Sequence, residues 1–474
     1  MRTSVVWPLV VALFAPRLAH AQPASPTTNP APATIAVPAP PAVDDPMLGP
    51  APAPKRVLGS WKEGLEFLRA RSTDLRIALD EVLEAEAQTR IALAQYLPTI
   101  NASAVYTRQL LTNTIPTTGG ALTLNGGNVV ASSQVPFPNA FSTNIQLQQD
   151  VINLPEYDQI GIDKISEKVN RLSVDDKKRT LALSLANQIV AVVTAERSAE
   201  INRVGLRVAL EQLEIAKRKQ ALGAATGLDV VRADQNAANA RATLVTGDES
   251  LRETREALGL ALGVPEETGV AHDVNIDGLA QNALASCRVV NSVDDRPDIA
   301  SAAASLEVAK RNLRNVWFTF LPTITLTSAL PATFQPAPPS YYPNPTWSVS
   351  GVLQIPIWDG GTRYGNLRNA RAAEDIADQQ LEALRRQAII QVVQAQRGLE
   401  VAQTSDKVAR DQRDLAAQND LMTQTAYMAG QGTSLELVTA SEAHRQAELN
   451  LALADFNVVK ARILASLALA TCPW

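Results

Sequence analysis

The sequence feature that most constrains the fold is an internal duplication. The motif Leu97–Ile100 recurs as Leu321–Ile324, 224 residues later, and the turn Gly223–Asp229 recurs as Gly430–Glu436, 207 residues later. The two offsets differ by 17 residues, which we assign to a longer loop between Leu110 and Phe141 in the first copy. Repetition on this scale predicts that the chain is one structural unit built twice.

The residue pattern predicts the same order of elements in both copies. The order is an amphipathic helix ending at a proline, two strands joined by a loop, a very long helix, a Gly-bearing turn and a shorter helix. Pro155 to Gly223 encloses 67 residues, and Gly361 to Gly430 encloses 68. Proline is absent from residues 156–264 and 357–472. Nothing therefore breaks these helices, and at about 1.5 Å per residue each can reach about 100 Å.

Apolar residues follow each Gly-bearing turn at heptad spacing. They are Leu244, Leu251 and Leu258 in the first copy, and Leu451, Val458 and Ala465 in the second. This spacing predicts that each shorter helix folds back along its long helix as an antiparallel coiled-coil partner.

Two stretches between the helices are almost free of charge, although 19% of the chain is charged. Residues 321–357 contain no Asp, Glu, Lys or Arg, and residues 99–149 contain only Arg108. Within them apolar and polar side chains alternate, and aromatic residues gather near the ends. A soluble β-subdomain would expose this charge-free surface to water. The pattern instead predicts transmembrane strands at about 99–110, 141–152, 323–331 and 347–357.

Four strands are too few to close a barrel. Open sheet edges would leave backbone N–H and C=O groups unpaired in lipid, at a cost of several kcal/mol each. A closed barrel needs at least about eight strands, so we expect several copies of the chain to complete it. The fold class is therefore mainly α, with a contribution to a transmembrane β-barrel.

The remaining segments are assigned by composition. Residues 1–21 have the basic, apolar and small-residue regions of a signal peptide, ending at Ala19-His20-Ala21. Residues 22–56 are rich in Pro, Ala and Thr, and are interpreted as a disordered lead. We place the first repeat at 57–264, an inter-repeat equatorial segment at 265–295 and the second repeat at 296–472.

Catalysis and nucleic-acid binding find little support in the sequence. The 43 basic and 48 acidic residues leave a mildly negative chain, which gives no reason to expect a nucleic-acid partner. His272 and His444 have no metal-ligand cluster or nucleophile beside them in the sequence, and no phosphate-binding loop is present. We expect neither an enzyme nor a bound metal or cofactor.

The mature chain has two cysteines, Cys287 and Cys472, and neither follows the cleavage site as a lipoprotein cysteine would. An oxidising compartment permits a disulfide between them, and two separate thiols are the alternative.

Several of these motifs together resemble the TolC family of outer-membrane efflux proteins. They are Arg296-Pro297-Asp298-Ile299, the repeated Leu-Pro-Thr-Ile, the return turn from Ile355 to Gly361, and the two Gly-x-x-Thr-x-x-acid turns. The resemblance covers about residues 60–470. It implies a homotrimer whose twelve strands form one barrel in outer-membrane lipid, above a periplasmic α-helical barrel. It also implies docking onto a periplasmic adaptor (membrane fusion protein) and an inner-membrane pump of RND, ABC or MFS type.

The two repeated turns are the candidate functional site. Thr226 and Thr433 precede Asp229 and Glu436 by three residues, which is capping-box spacing. By resemblance the turns also form adaptor-docking grooves, and the residues concerned are Gly223, Thr226, Asp229, Val230, Gly430, Thr433, Glu436 and Leu437. Some family members carry an Arg before the second Thr and a second acid after it, where this chain has Gly432 and Thr439. Glu436 alone remains to form an acidic ring at the aperture.

Two classes of function remain at this stage. The first is a passive outer-membrane exit duct of a tripartite efflux or type I secretion system, and the second is a non-porous coiled-coil scaffold spanning the periplasm. The charge-free paired strands favour the duct. The sequence does not identify the cargo.

Overall fold

The structure is a computed structural model that describes residues 41–108, 110, 123–125, 128–130, 139–271, 278–334 and 345–474. The predicted signal peptide, His272 and most of the long loop of the first copy lie outside these residues. The helices are α1 (Trp61–Arg71), α2 (Thr73–Tyr96), α3 (Leu154–Ala221), α4 (Gly227–Ala261), α5 (Leu279–Ala285), α6 (Pro297–Phe318), α7 (Thr362–Met428) and α8 (Ser434–Leu467). The strands are β1 (Arg56–Leu58), β2 (Thr99–Arg108), β3 (Thr123–Asn125), β4 (Asn128–Val130), β5 (Asn139–Ile152), β6 (Thr268–Val270), β7 (Arg288–Val289), β8 (Thr323–Phe334), β9 (Ser348–Gln354) and β10 (Ala470–Thr471).

The two longest helices match in length. α3 has 68 residues and α7 has 67, so each is about 100 Å long at 1.5 Å per residue. A proline in the first turn starts α3, where a missing backbone N–H costs nothing. α4 packs along α3 and α8 packs along α7, as expected from the repeat. Among the described helices, none has a stretch long and apolar enough to cross a bilayer.

The predicted coiled-coil positions are buried in α4 and partly buried in α8. Leu244, Leu251 and Leu258 are buried. In α8 the predicted Leu451, Val458 and Ala465 are half-buried, and the buried positions from residue 447 onward are Ala447, Ala452, Ala454, Val459, Ile463 and Leu467. The stripe differs because α8 packs against α3 as well as α7, so two partners determine which side of the helix is covered.

β2, β5, β8 and β9 form one antiparallel sheet in that order. Ile100 lies opposite Leu147, Leu147 lies opposite Ser328, and Ser328 lies opposite Val349. Opposed residues of an antiparallel pair project from the same face. The predicted apolar sets of all four strands therefore share one face, and the alternate polar residues share the other. β3 and β4 pair separately, within the loop of the first copy.

The main hydrophobic core, here called the equatorial core, surrounds the middle of α3. It contains residues from α1, α3 and α5 and from the C-terminal ends of α4 and α8. β1 pairs with β6, and β7 pairs with β10, so the inter-repeat segment is tied to both ends of the folded chain. Cys287 and Cys472 are joined by a disulfide in this core, 185 residues apart in sequence.

The predicted disordered lead differs from the structure over residues 41–56. This segment lies along α3 and α4, and Val43, Met47 and Leu48 pack against apolar residues of both helices. Arg241 holds Asp45 through nitrogen–oxygen distances of 3.1 and 3.0 Å. Arginine side chains of α3 and α4 also donate to the carbonyls of Gly49 and Pro52, at 2.9 and 2.8 Å. Proline has no backbone N–H, so a proline-rich segment has few donors for its own carbonyls. Arginine side chains of α3 and α4 donate to these carbonyls instead.

Candidate functional site

The two turns that join each long helix to its shorter partner have the same backbone geometry. Gly223 and Gly430 have φ of 74° and 76°, in the left-handed region where glycine is unstrained. The amides of Gly223 and Ala224 donate back to Gln220 and Lys219, and those of Gly430 and Gln431 donate to Tyr427 and Ala426. This pair of bonds satisfies the last carbonyls of the helix, so each glycine ends its helix and begins the turn.

A capping box then starts each returning helix. The Thr226 backbone N–H donates to Oδ2 of Asp229 at 2.8 Å, and the Asp229 N–H donates to the Thr226 hydroxyl at 3.3 Å. The corresponding distances for Thr433 and Glu436 are 2.8 and 3.2 Å. These reciprocal bonds are the capping role predicted from the spacing.

The two turns are also bonded to each other. The Ser434 hydroxyl of the second turn donates to Oδ1 of Asp229 in the first, and Ser434 is buried. Beside this bond, Nζ of Lys219 donates to the carbonyl of Tyr427 at 2.5 Å and lies 3.7 Å from the centre of its ring. The ends of α3 and α7 are therefore fastened together within one chain.

The charges at the turns follow from these contacts. The Ser434 hydroxyl, followed by the Thr226 backbone N–H, lowers the pKa of Asp229 below its ordinary value. The Thr433 backbone N–H and hydroxyl lower the pKa of Glu436. Burial lowers the pKa of Lys219 and, together with the charge of Asp229, raises the pKa of Tyr427. Both acids are therefore ionised at neutral pH.

The predicted site residues divide by exposure. Glu436 and both threonines are exposed, whereas Leu437 is buried and Val230 is half-buried against neighbouring helices. The exposed apolar surface of the turns is instead formed two positions before Val230 and Leu437. There, Leu228 is 56% exposed and Leu435 is 51% exposed. Both leucines belong to the repeated motif, and this repetition is the signal that could have identified them.

Sequence reasoning missed Ser434, Lys219 and Tyr427. One signal was available for Ser434, which occupies the position of Gly227 in the first copy. A hydroxyl where the other copy has no side chain marks a contact that only one turn can make. Lys219 and Tyr427 lie on the two long helices, and only the packing of α3 beside α7 brings them together.

His444 is half-buried between α7 and α8. Its Nδ1 lies 3.1 Å from Oδ2 of Asp420, and the Ser441 hydroxyl donates to the other carboxylate oxygen at 2.7 Å. Within the described parts of the chain, no group of three or more His, Cys, Asp or Glu side chains is arranged to hold a metal.

Comparison with known proteins identifies the family. The family model described as outer membrane efflux protein matches residues 65–264 and 290–470, most of the chain. The chain belongs to this family. It is an outer-membrane efflux protein. This finding favours the duct over the non-porous scaffold.

Individual relatives have low sequence identity to this chain but align over most of its length. The pyoverdine export outer membrane protein OpmQ of Pseudomonas aeruginosa is 24% identical, over 67% of this chain and 65% of that protein, and OpmQ of Pseudomonas putida is 23% identical, over 84% and 83%. The cation efflux system protein CusC of Escherichia coli is 24% identical, over 80% and 79%.

Solved structures show the same fold. The outer membrane protein VceC of Vibrio cholerae superposes with a TM-score of 0.71 at 18% identity, covering 86% of this chain and 95% of VceC. A structure of CusC gives a TM-score of 0.72 at 18% identity, covering 91% and 99%. The fold is that of outer-membrane channels with an α-helical barrel and a β-barrel.

We propose that the bond between Asp229 and Ser434 helps to hold the duct closed, and this role predicts an acid-dependent change in conductance. A carboxyl with a lowered pKa keeps its bond above its ordinary pKa of about 3.9 and loses it as the pH falls through the lowered value. We expect Ser434→Ala to raise the open-to-closed ratio about fivefold at neutral pH, since a partly exposed bond of this kind contributes about 1 kcal/mol. The wild type should approach that level only at strongly acidic pH, and single-channel recording measures both.

Thr404→Ala is the matched control, because Thr404 is exposed in the middle of α7 and its hydroxyl bonds a carbonyl of its own helix. Equal open-to-closed ratios in the wild type and Ser434→Ala at neutral pH would contradict the role of this bond.

Proposed function

We propose that three copies of the chain form a passive exit duct that carries substrate from an inner-membrane pump and its adaptor through the outer membrane. The observation that carries this proposal is the register of the four-stranded sheet, with one apolar face and one polar face. Three such sheets supply twelve strands, enough for a closed barrel with a polar interior. The long helices below them continue the duct through the periplasm.

The proposed organisation of the chain follows the repeat. Residues 1–21 are removed on export, residues 57–264 and 296–472 are the two structural units, and residues 265–295 join them at the equatorial core. The disulfide supports an oxidising location for this core.

The turns at the ends of α3 and α7 are proposed to dock the adaptor. Leu228 and Leu435 are more than half exposed at these turns, and the capping boxes hold the backbone beneath them in a fixed shape. Exposed apolar side chains on a rigid backbone suit recognition of a helical partner. Leu437 and Val230, included among the predicted docking residues, support this surface from beneath.

Crosslinking tests the docking proposal directly. A photo-reactive residue at position 435 should crosslink in intact cells to a periplasmic adaptor, which mass spectrometry identifies. The same residue at Leu453, also exposed on α8 but far from the turn, should give no such adduct. Adaptor adducts from both positions, or from neither, would contradict docking through the turns.

A single acid ring is proposed at the aperture. Glu436 is exposed, ionised at neutral pH and held by Thr433, so three copies would place three carboxylates around a narrow opening. The Arg and second acid found in some relatives are replaced by Gly432 and Thr439, which removes an Arg-to-carboxylate gate. The Asp229–Ser434 bond is the closing contact that we propose in its place.

Glu436→Gln tests the ring. A ring of like charges concentrates cations in a narrow pore, so removing it should lower cation selectivity and weaken block by multivalent cations in planar bilayers. Glu442→Gln, one to two turns further along α8, is the charge-matched control and should leave both unchanged. Unaltered conductance and cation block in Glu436→Gln would contradict the proposal that Glu436 forms an acidic ring at the aperture.

The cargo is proposed to be selected by the pump. Relatives are named for pyoverdine export, cation efflux and solvent efflux, which indicates that one duct architecture serves chemically unlike substrates. The pump is proposed to be of RND, ABC or MFS type.

A further inference from the structure

An aromatic and basic cluster, here called the junction collar, lies where the second copy passes between strands and helices. Trp317 in the last turn of α6 and Phe320 just after it have ring centres 5.7 Å apart, and the ring centre of Phe320 lies 5.5 Å from that of Tyr364 of α7. The guanidinium of Arg363 lies 5.0 Å from the Phe320 ring, and that of Arg371 lies 5.9 Å from the Trp317 ring. Cations at these distances are attracted to the ring faces.

The junction collar is continuous with the membrane-spanning sheet. α6 ends at Phe318, a few residues before β8 begins at Thr323, and α7 begins at Thr362, shortly after β9 ends at Gln354. Trp317 is 47% exposed and Tyr364 is 63% exposed. Exposed Trp and Tyr at the ends of transmembrane strands lie at the level of the lipid headgroups.

The duplication supplies an internal comparison for the charge. Residues 310–371 contain six basic residues and one acid, whereas the equivalent residues 86–164 of the first copy contain three basic residues and five acids. Arg371 corresponds to Lys164, but Arg363 corresponds to Glu156 and Arg368 to Gly161. Positive charge is therefore a property of one junction and not of the repeat as a whole.

Two of these arginines remain available. Arg311, Arg314 and Arg363 form ion pairs with Glu307, Asp158 and Asp359. Arg368 and Arg371 are exposed, and no ion pair found in the described part of the chain includes either of them. Their nearest acids in sequence, Glu374 and Asp375, also have no ion pair with them among these residues.

We propose that the junction collar binds the headgroup of an anionic phospholipid in the periplasmic leaflet of the outer membrane. Arg368 and Arg371 supply the positive charge that binds the phosphate, because one guanidinium group can donate two parallel hydrogen bonds to the oxygens of one phosphate. Trp317 and Tyr364 supply the amphipathic surface beside it. Each protomer has one such junction, so a trimer would bind anionic lipid at three positions and leave the three acidic junctions of the first copy unoccupied.

The test compares lipids retained by the purified protein. The full-length protein is equilibrated with mixed phosphatidylglycerol and phosphatidylcholine bilayers, extracted mildly, and its bound lipid is measured by native mass spectrometry. The test variant is Arg368→Gln with Arg371→Gln, and the control is Arg90→Gln with Lys164→Gln, which removes two exposed basic residues from the first-copy junction. All four substitutions are at exposed positions, so folding should be preserved.

The wild type and the control should retain phosphatidylglycerol in preference to phosphatidylcholine. In the test variant the ratio of bound phosphatidylglycerol to bound phosphatidylcholine should be about tenfold lower. Equal lipid composition in all three proteins would overturn the proposal. Two other outcomes would also overturn it. Unchanged lipid with altered anion conductance would assign the arginines to the duct interior, and dissociation of the oligomer with unchanged lipid would assign them to contacts between copies.

Discussion

The structure depends on one constraint, which is that every backbone hydrogen-bonding group within lipid needs a partner. β5 and β8 meet this condition inside one chain, because each is paired on both sides. β2 and β9 are the edges of the sheet, and among the described residues no strand of the same chain pairs with the outer side of either. A single chain with these edges cannot be stable in a bilayer. In the proposed trimer, pairing of those two edges between copies closes the barrel, and the duct continues below it.

The duplication would make the proposed assembly nearly symmetrical, and we propose that the differences between the two copies carry the specific functions. The long helices match to within one residue, which is what walls of equal height require. At the turns, Ser434 replaces a glycine and bonds Asp229 of the other copy. At the strand–helix junctions, arginines in the second copy replace an acid and a glycine of the first. In the proposed trimer, the two long helices of each copy would form a sixfold-like wall, with a threefold gate at the turns and a threefold lipid contact at the strand–helix junctions.

Much of the fold was predictable, because the periodicity of apolar residues and the positions of helix-ending residues act over short stretches of sequence. Glycines and prolines bound the long helices, and alternation without charge identified all four strands of the sheet. The capping boxes were visible as spacing alone. The buried stripe of α8 was not, because α3 and α7 cover it together. Residues 41–56 were also misjudged, since arginines about 150 to 200 positions away hold them. The Asp229–Ser434 contact likewise exists only after the two copies pack.

The central claim is that β9 of one copy pairs with β2 of the next until three chains close the barrel. Single cysteines placed in turn along β9, combined with a cysteine at Ser103 of β2, test it by interchain crosslinking in the outer membrane. One register along β9 should yield covalent dimers and trimers and nothing larger. Crosslinks confined within single chains, or a ladder extending beyond three chains, would contradict the account.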